Sequence, residues 1–404
     1  NATTTAGGTD RSVTYDSTAP TTTITGGPSG STTATSASFT FTASETATFQ
    51  CNLDGAGWNA CASPTDFTAL ADGSHTLQIR ATDAAGNVGP VASSTWTVDT
   101  TAPSIVISSI PAFTNSLSAT FTVTIGADAT VYSCTLDGKS QPTNKCTGTN
   151  TFSGLLVGSH TYAVTVADAL GNTQTVSRTW TIDQTAPTAT LQQDAAQLDP
   201  TNQSPVVFSF TTSETIDATT LTASDFTVTN GGTPMIAGAG VNYSITIVPS
   251  GQGAVTIAPS GTFSFADLAG NATTTAAGTD RSVTYDTVAP TLTLAQAAGQ
   301  ADPAKTSPVT FTLSANETLD GATITASDFT VTNGGTPTIT GSGTSFTISV
   351  TPTADGAVLI APAVGFSVSD VAGNATTTAG GTDRSVTYRS EEHTSELQSR
   401  GLIS

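Results

Sequence analysis

Apolar and hydroxyl residues alternate along most of this chain, as in Phe39-Thr-Phe41, Phe121-Thr-Val123-Thr-Ile125, Phe208-Ser-Phe210 and Phe311-Thr-Leu313. A period of two sends successive side chains to opposite faces, so each run buries one face only as an extended strand. Later runs follow the same rule: Leu77-Gln-Ile79-Arg-Ala81, Tyr162-Ala-Val164-Thr-Val166, Trp96-Thr-Val98, Trp180-Thr-Ile182, Val283-Thr-Tyr285 and Val386-Thr-Tyr388. Clusters of Gly, Asn, Asp and Pro separate them, and no helical period competes. The chain is therefore expected to be all-β.

The strands recur in register with two markers. Asp-x-x-Ala-Pro begins at Asp16, Asp99, Asp183 and Asp286, spaced 83, 84 and 103 residues apart. Asp-x-x-Gly-Asn begins at Asp83, Asp168, Asp267 and Asp370. They divide the chain into modules 16–98, 99–182, 183–285 and 286–388, two of a first subtype and two of a second. The second subtype shares Thr-Ala-Ser-Asp-Phe-Thr-Val-Thr-Asn-Gly-Gly-Thr-Pro, with Asp225 in one copy and Asp328 in the other. About seven short strands in each module read as a two-sheet sandwich of the immunoglobulin type. Residues 1–15 repeat 374–388 identically and read as the terminal strand region of a truncated module. At 389 the expected Asp is replaced by Arg389, and 389–404 differs in composition from everything before it. That tail reads as an in-frame translation of a sequencing adapter, outside the native protein.

Charge narrows the function. The net charge is −20. Nucleic acid needs a basic footprint, and an anionic membrane surface does too, so both are disfavoured. No apolar run approaches the ~20 residues of a spanning helix. Two close cysteine pairs suit an oxidising, extracellular compartment.

The carboxylates carry the sharpest signal. Before residue 389 the only glutamates are Glu45, Glu214 and Glu317, each just after an early strand, and Asp128 takes that place in module 99–182. In an immunoglobulin-type sandwich the first strand leaves one pole, the second returns to it, and the sixth ends there. The topology therefore predicts four clusters at that pole: Asp16, Glu45 and Asp83; Asp99, Asp128 and Asp168; Asp183, Glu214 and Asp267; Asp286, Glu317 and Asp370. Clustered carboxylates repel unless a cation neutralises them, and Ca²⁺ accepts six to eight oxygens. Asn87, Asn172, Asn271 and Asn374 could add carbonyl oxygens. The plainer reading stays open: Asp, Gly and Asn are turn residues, and Asp-x-x-Gly-Asn then only connects two strands.

Cys51 with Cys61, and Cys134 with Cys146, are expected to close local disulfides across hairpins, with zinc or free thiols as alternatives. His75 and His160 each follow Gly-Ser and are read as packing residues at a strand start. Trp96 and Trp180 fall on the apolar face. Trp58, beside a Gly-rich turn, is the one indole placed to stack on a ligand. Gly231-Gly232 lacks the lysine and the strand-to-helix context of a phosphate loop.

At Asp99-Thr-Thr-Ala-Pro103, Ala69-Leu-Ala-Asp-Gly-Ser-His-Thr-Leu77 and Ala81-Thr-Asp-Ala-Ala-Gly-Asn87, the sequence resembles the bacterial Ig-like repeats of large surface proteins and adhesins. The likeness covers nearly all of 16–388. It implies a secreted or wall-attached stalk, an elongated and monomeric array with no catalytic site. It also implies an unknown surface ligand, protein or glycan, and linkers that in some such families are stiffened by Ca²⁺. Two alternatives remain: a spacer array within an exported enzyme, and a glycan-binding module.

Overall fold

The computed structural model describes residues 13–390. The terminal strand expected at 1–15 lies outside the described residues apart from 13–15, which are exposed and belong to no strand. Of the tail, only Arg389 and Ser390 are described. The chain forms two compact units, Asn1–Gln184 and Thr185–Ser404. Among the described residues there is no α-helix, only strands and short 3₁₀ turns.

The first unit holds two sandwiches. In one, a three-stranded sheet runs Thr22–Gly26, Ala37–Ala43, Thr65–Phe67, and a five-stranded sheet runs Gly30–Thr32, Ala92–Val98, Gly73–Asp83, Ala47–Leu53, Asn59–Cys61. The other repeats this plan, with Ile105–Ile107, Ser118–Ile125 and Gly148–Ser153 facing the sheet built on Gly158–Ala167. Period-two patterning shows directly in burial: in Gly73–Asp83 every second residue from His75 is buried. Each sandwich closes around its own aromatic pair, Phe39 with Trp96 at 5.0 Å and Phe121 with Trp180 at 5.2 Å between ring centroids. Burying side chains of this kind contributes about 1.5–3 kcal/mol each. The disulfides Cys51–Cys61 and Cys134–Cys146 both form, spanning 5.8 and 5.3 Å between Cα atoms.

The second unit also holds two separate cores, one drawn from 189–283 and one from 292–386. Its sandwiches pair a sheet built on Val206–Thr212 or Val309–Ala315 with a three-stranded sheet built on Gly253–Pro259 or Gly356–Pro362. The motif peculiar to this subtype is structural. Asp225 accepts bonds from the Thr222 backbone N–H and hydroxyl, capping a 3₁₀ turn that feeds the strand Phe226–Thr229. Asp328 does the same for Thr325. Asn230 follows in the left-handed region at φ 56°, and its Nδ2 donates to the carbonyls of Gly251, Gln252 and Gly253. Gly231 is required by space, because a Cβ there would meet Ile247 Cγ2 at 2.4 Å. The chain is thus a series of immunoglobulin-like β-sandwiches.

Candidate metal centre

The Asp-x-x-Gly-Asn turn has one geometry throughout. Asp83 Oδ1 accepts from the Ala85 and Asn87 backbone N–H groups, and Oδ2 accepts from Asn87 Nδ2. The same Nδ2 reaches across to the backbone carbonyl of Asp16, 3.0 Å away. Asn172 ties Asp168 to the Asp99 carbonyl in this way, and Asn374 ties Asp370 to that of Asp286. The asparagine therefore staples this turn to the start of the module. Its amide nitrogen is committed to this, and it covers the linker carbonyl rather than leaving it free as a ligand. Asp83 and Asp168 are held below the usual carboxylate range: at Asp83 the Asn87 side chain does so first, and at Asp168 burial pulls the other way but is overcome by the Asn172, Leu170 and Gly171 donors together. The turn reading of the motif is correct as far as it goes, since the staple needs no cation.

The carboxylates gather beyond that. Asp16, Glu45 and Asp83 place one oxygen each within 4.8 Å of one another. They line an open hollow of about 490 Å³. Asp286, Glu317 and Asp370 do the same, with Asp370 buried. The linker aspartates are held by their own turns: Asp16 Oδ1 accepts from Thr18 N–H, and Asp286 Oδ1 from Val288 N–H. Around Asp286 the joint is closed. The Asn202 backbone N–H, from the preceding module, donates to the Ala372 carbonyl, and its Nδ2 donates to Asn374 Oδ1. Glu317 Oε1 is shut away from water with no hydrogen-bond partner. Burial, then the charges of Asp286 and Asp370, raises the Glu317 pKa. A cation beside it would oppose both effects.

The predicted cluster in module 99–182 does not form. Among the described residues, Asp99, Asp128 and Asp168 are not brought within 4.8 Å. Equal sequence offsets concealed a difference in the corner that carries the acidic residue. Ser44 and Gly126 are equivalent, each donating its N–H to the residue two after the linker alanine, Thr21 or Ser104. From Ser44 the next strand begins three residues on, at Ala47; from Gly126 its equivalent, Thr130, is four residues on. The extra residue closes a turn in which Ala129 N–H donates to the Gly126 carbonyl. Asp128 is carried back over Gly126, its Oδ1 only 2.6 Å from where a Cβ would stand. Asp183 closes the first unit, its N–H donating to the Thr114 carbonyl, whereas Glu214 and Asp267 lie in the second unit.

No protein-family model matches the chain, and no curated protein sequence does. Solved structures do. Fibronectin(III)-like modules of CbhA from Clostridium thermocellum match at 14% identity over 40% of this chain and 94% of theirs, with a TM-score of 0.22. A 1.5-MDa bacterial ice-binding adhesin involved in host cell surface retention matches at 20% identity over 62% of this chain and 89% of its own, TM-score 0.23. A Bacteroides ovatus glucan-utilisation protein, SGBP-B, in complex with a mixed-linkage heptasaccharide, matches at 14% over 71% and 70%, TM-score 0.17. At these values none of them carries an argument about what this chain binds.

The histidines are more than packing residues. His75 lies 2.7 Å by Nδ1 from Asp54 Oδ2 and 2.8 Å by Nε2 from the Ala71 carbonyl, with its ring on Trp96. His160 repeats the arrangement with Asp137, Leu156 and Trp180. The Leu-Asp-Gly turn upstream of each histidine, Leu53-Asp54-Gly55 or Leu136-Asp137-Gly138, supplies the carboxylate its ring meets. Trp58 is not a free platform: the Arg80 guanidinium lies 4.2 Å over its ring and is itself held by Gln50 Oε1. Among the described residues, no helix is long and apolar enough to cross a membrane.

Proposed function

We propose that this chain is a non-catalytic, extracellular array of immunoglobulin-like modules, a stalk of the adhesin type, with Ca²⁺ held at those joints where three carboxylates meet. The observation that carries the metal reading is the joint around Asp286, Glu317 and Asp370. Three acidic oxygens converge within 4.8 Å, and a glutamate oxygen closed off from water is left without a donor. A hard divalent cation supplies the missing charge, and carboxylate oxygens are its preferred ligands. Supporting the non-catalytic reading, His75 and His160 both have their two ring nitrogens engaged in structural contacts. The ligand of such a stalk is a surface protein or glycan.

Calorimetric titration of the full chain tests the metal. Ca²⁺ is expected to release heat and raise the melting temperature, a chelator to reverse this, and Glu317→Gln to remove one binding event. No heat together with an unchanged melting curve would overturn the proposal.

A further inference from the structure

The joint between modules 16–98 and 99–182 lacks a carboxylate cluster, yet it has a clamp of its own. Asp72 Oδ1 accepts from the Thr100 backbone N–H at 3.0 Å and from its hydroxyl at 2.7 Å, and Oδ2 accepts from the Thr101 hydroxyl at 2.5 Å. Asp72 thus grips the linker immediately after Asp99. The residue before it, Ala71, offers its carbonyl to His75 Nε2. We propose that this joint is a proton-controlled latch, in which the imidazolium of His75 holds the loop that positions Asp72, and loss of its proton frees the linker.

The protonation state follows from the partners. A backbone carbonyl is only an acceptor, and so is an ionised carboxylate. With Ala71 O on one ring nitrogen and Asp54 on the other, both nitrogens must carry hydrogen for both bonds to exist. A neutral ring keeps one. The bond to the carboxylate is the stronger, so the proton stays on Nδ1 and the Nε2 lone pair then faces the Ala71 oxygen. The loop is repelled at the residue adjoining Asp72.

The surroundings add few other charges. Asp54, from the hairpin after Ala47–Leu53, is the charged group touching the ring, and it is fixed by Thr76 N–H on its second oxygen. From the strand Ala92–Val98 the facing side chain is the uncharged Trp96. Asp72, just before the histidine's strand, is turned to the linker threonines; on the strand itself Arg80 is held by Gln50 and Asp83 by its own turn. The Asp54 bond, then the Ala71 bond, raise the His75 pKa above its ordinary value. A raised folded-state pKa means that the contribution is complete below about pH 6.5, the unfolded value, and is lost as pH rises through the folded value. The latch is closed in acid and opens toward alkaline pH.

The sister module supplies a control. His160 makes the same two contacts, but Val157 stands where Asp72 would, so its titration has no such side chain to move.

Amide hydrogen exchange in the full chain, corrected for intrinsic rates, reads the latch at Thr100. Its protection is expected to fall about tenfold or more between pH 5.5 and pH 9, tracking the His75 titration seen by NMR. His75→Gln should lower that protection already at pH 5.5, and His160→Gln should leave it unchanged. Should His75→Gln fail to fold, Asp72→Asn serves: it should remove the pH dependence at Thr100 while His75 titrates as before. Thr100 protection that stays constant across His75 titration, or that follows His160 instead, would overturn the proposal.

Discussion

In modules 16–98, 99–182 and 286–388 one asparagine ties the Asp-x-x-Gly-Asn turn to the linker at the module's start. Asn172 donates 2.7 Å to Asp168 and 3.0 Å to the Asp99 carbonyl, so a single amide closes the module where its two ends meet. Asn172→Ala leaves a partly buried carboxylate and a carbonyl without that donor. A loss of about 1–3 kcal/mol is expected, read as faster amide exchange in Gly158–Ala167. Asn172→Asp should cost more, because it sets a second negative charge against Asp168. An effect below a few tenths of a kcal/mol in both variants would contradict the staple. The motif was legible in the sequence as a turn. That its asparagine reaches another element was not, because the contact crosses 73 residues.

At the scale of elements, the corner that follows Ala37–Ala43, and Ser118–Ile125 in the next module, decides whether the acidic cluster is complete. Ser44-Glu45-Thr46 is three residues and presents Glu45 beside Asp16 and Asp83. Gly126-Ala127-Asp128-Ala129 is one residue longer and folds Asp128 away. Replacing those four residues with Ser-Glu-Thr should complete the cluster with Asp99 and Asp168. The Ca²⁺ stoichiometry of the full chain should then rise by one in calorimetric titration. An unchanged stoichiometry would show that register alone does not make the site. The same comparison explains why counting along the sequence misled: an offset from the linker Asp is conserved by a shorter lead-in and a longer corner that cancel. Only the hydrogen bonds from Ser44 and Gly126 reveal the shift.

For the molecule as a whole, the joints are not equivalent. The one around Asp286 combines direct contact through Asn202 with three carboxylates, and the one around Asp99 relies on Asp72. On the two proposals above, the chain's stiffness would respond to two different ions, Ca²⁺ at the first kind of joint and the proton at the second. Small-angle scattering of the full chain should give an elongated profile whose maximum dimension grows when Ca²⁺ is added. A compact profile, insensitive to Ca²⁺ and chelator alike, would contradict the stalk.

Much of this was fixed by local rules. Strand period, turn residues and repeat spacing act between near neighbours, so the sequence by itself determined an all-β chain of immunoglobulin-like sandwiches, its buried tryptophans and its two hairpin disulfides. The same topology brings Asp16, Glu45 and Asp83 together, and Asp286, Glu317 and Asp370, but not Asp99, Asp128 and Asp168. The tertiary structure decided the rest. Whether Asp128 joins Asp99 and Asp168, whether Trp58 is free, and whether a histidine merely packs or holds the loop next to a linker clamp all depend on contacts between distant residues. Their geometry is set by one residue more or less in a corner, and by which donors remain once the backbone has taken its own.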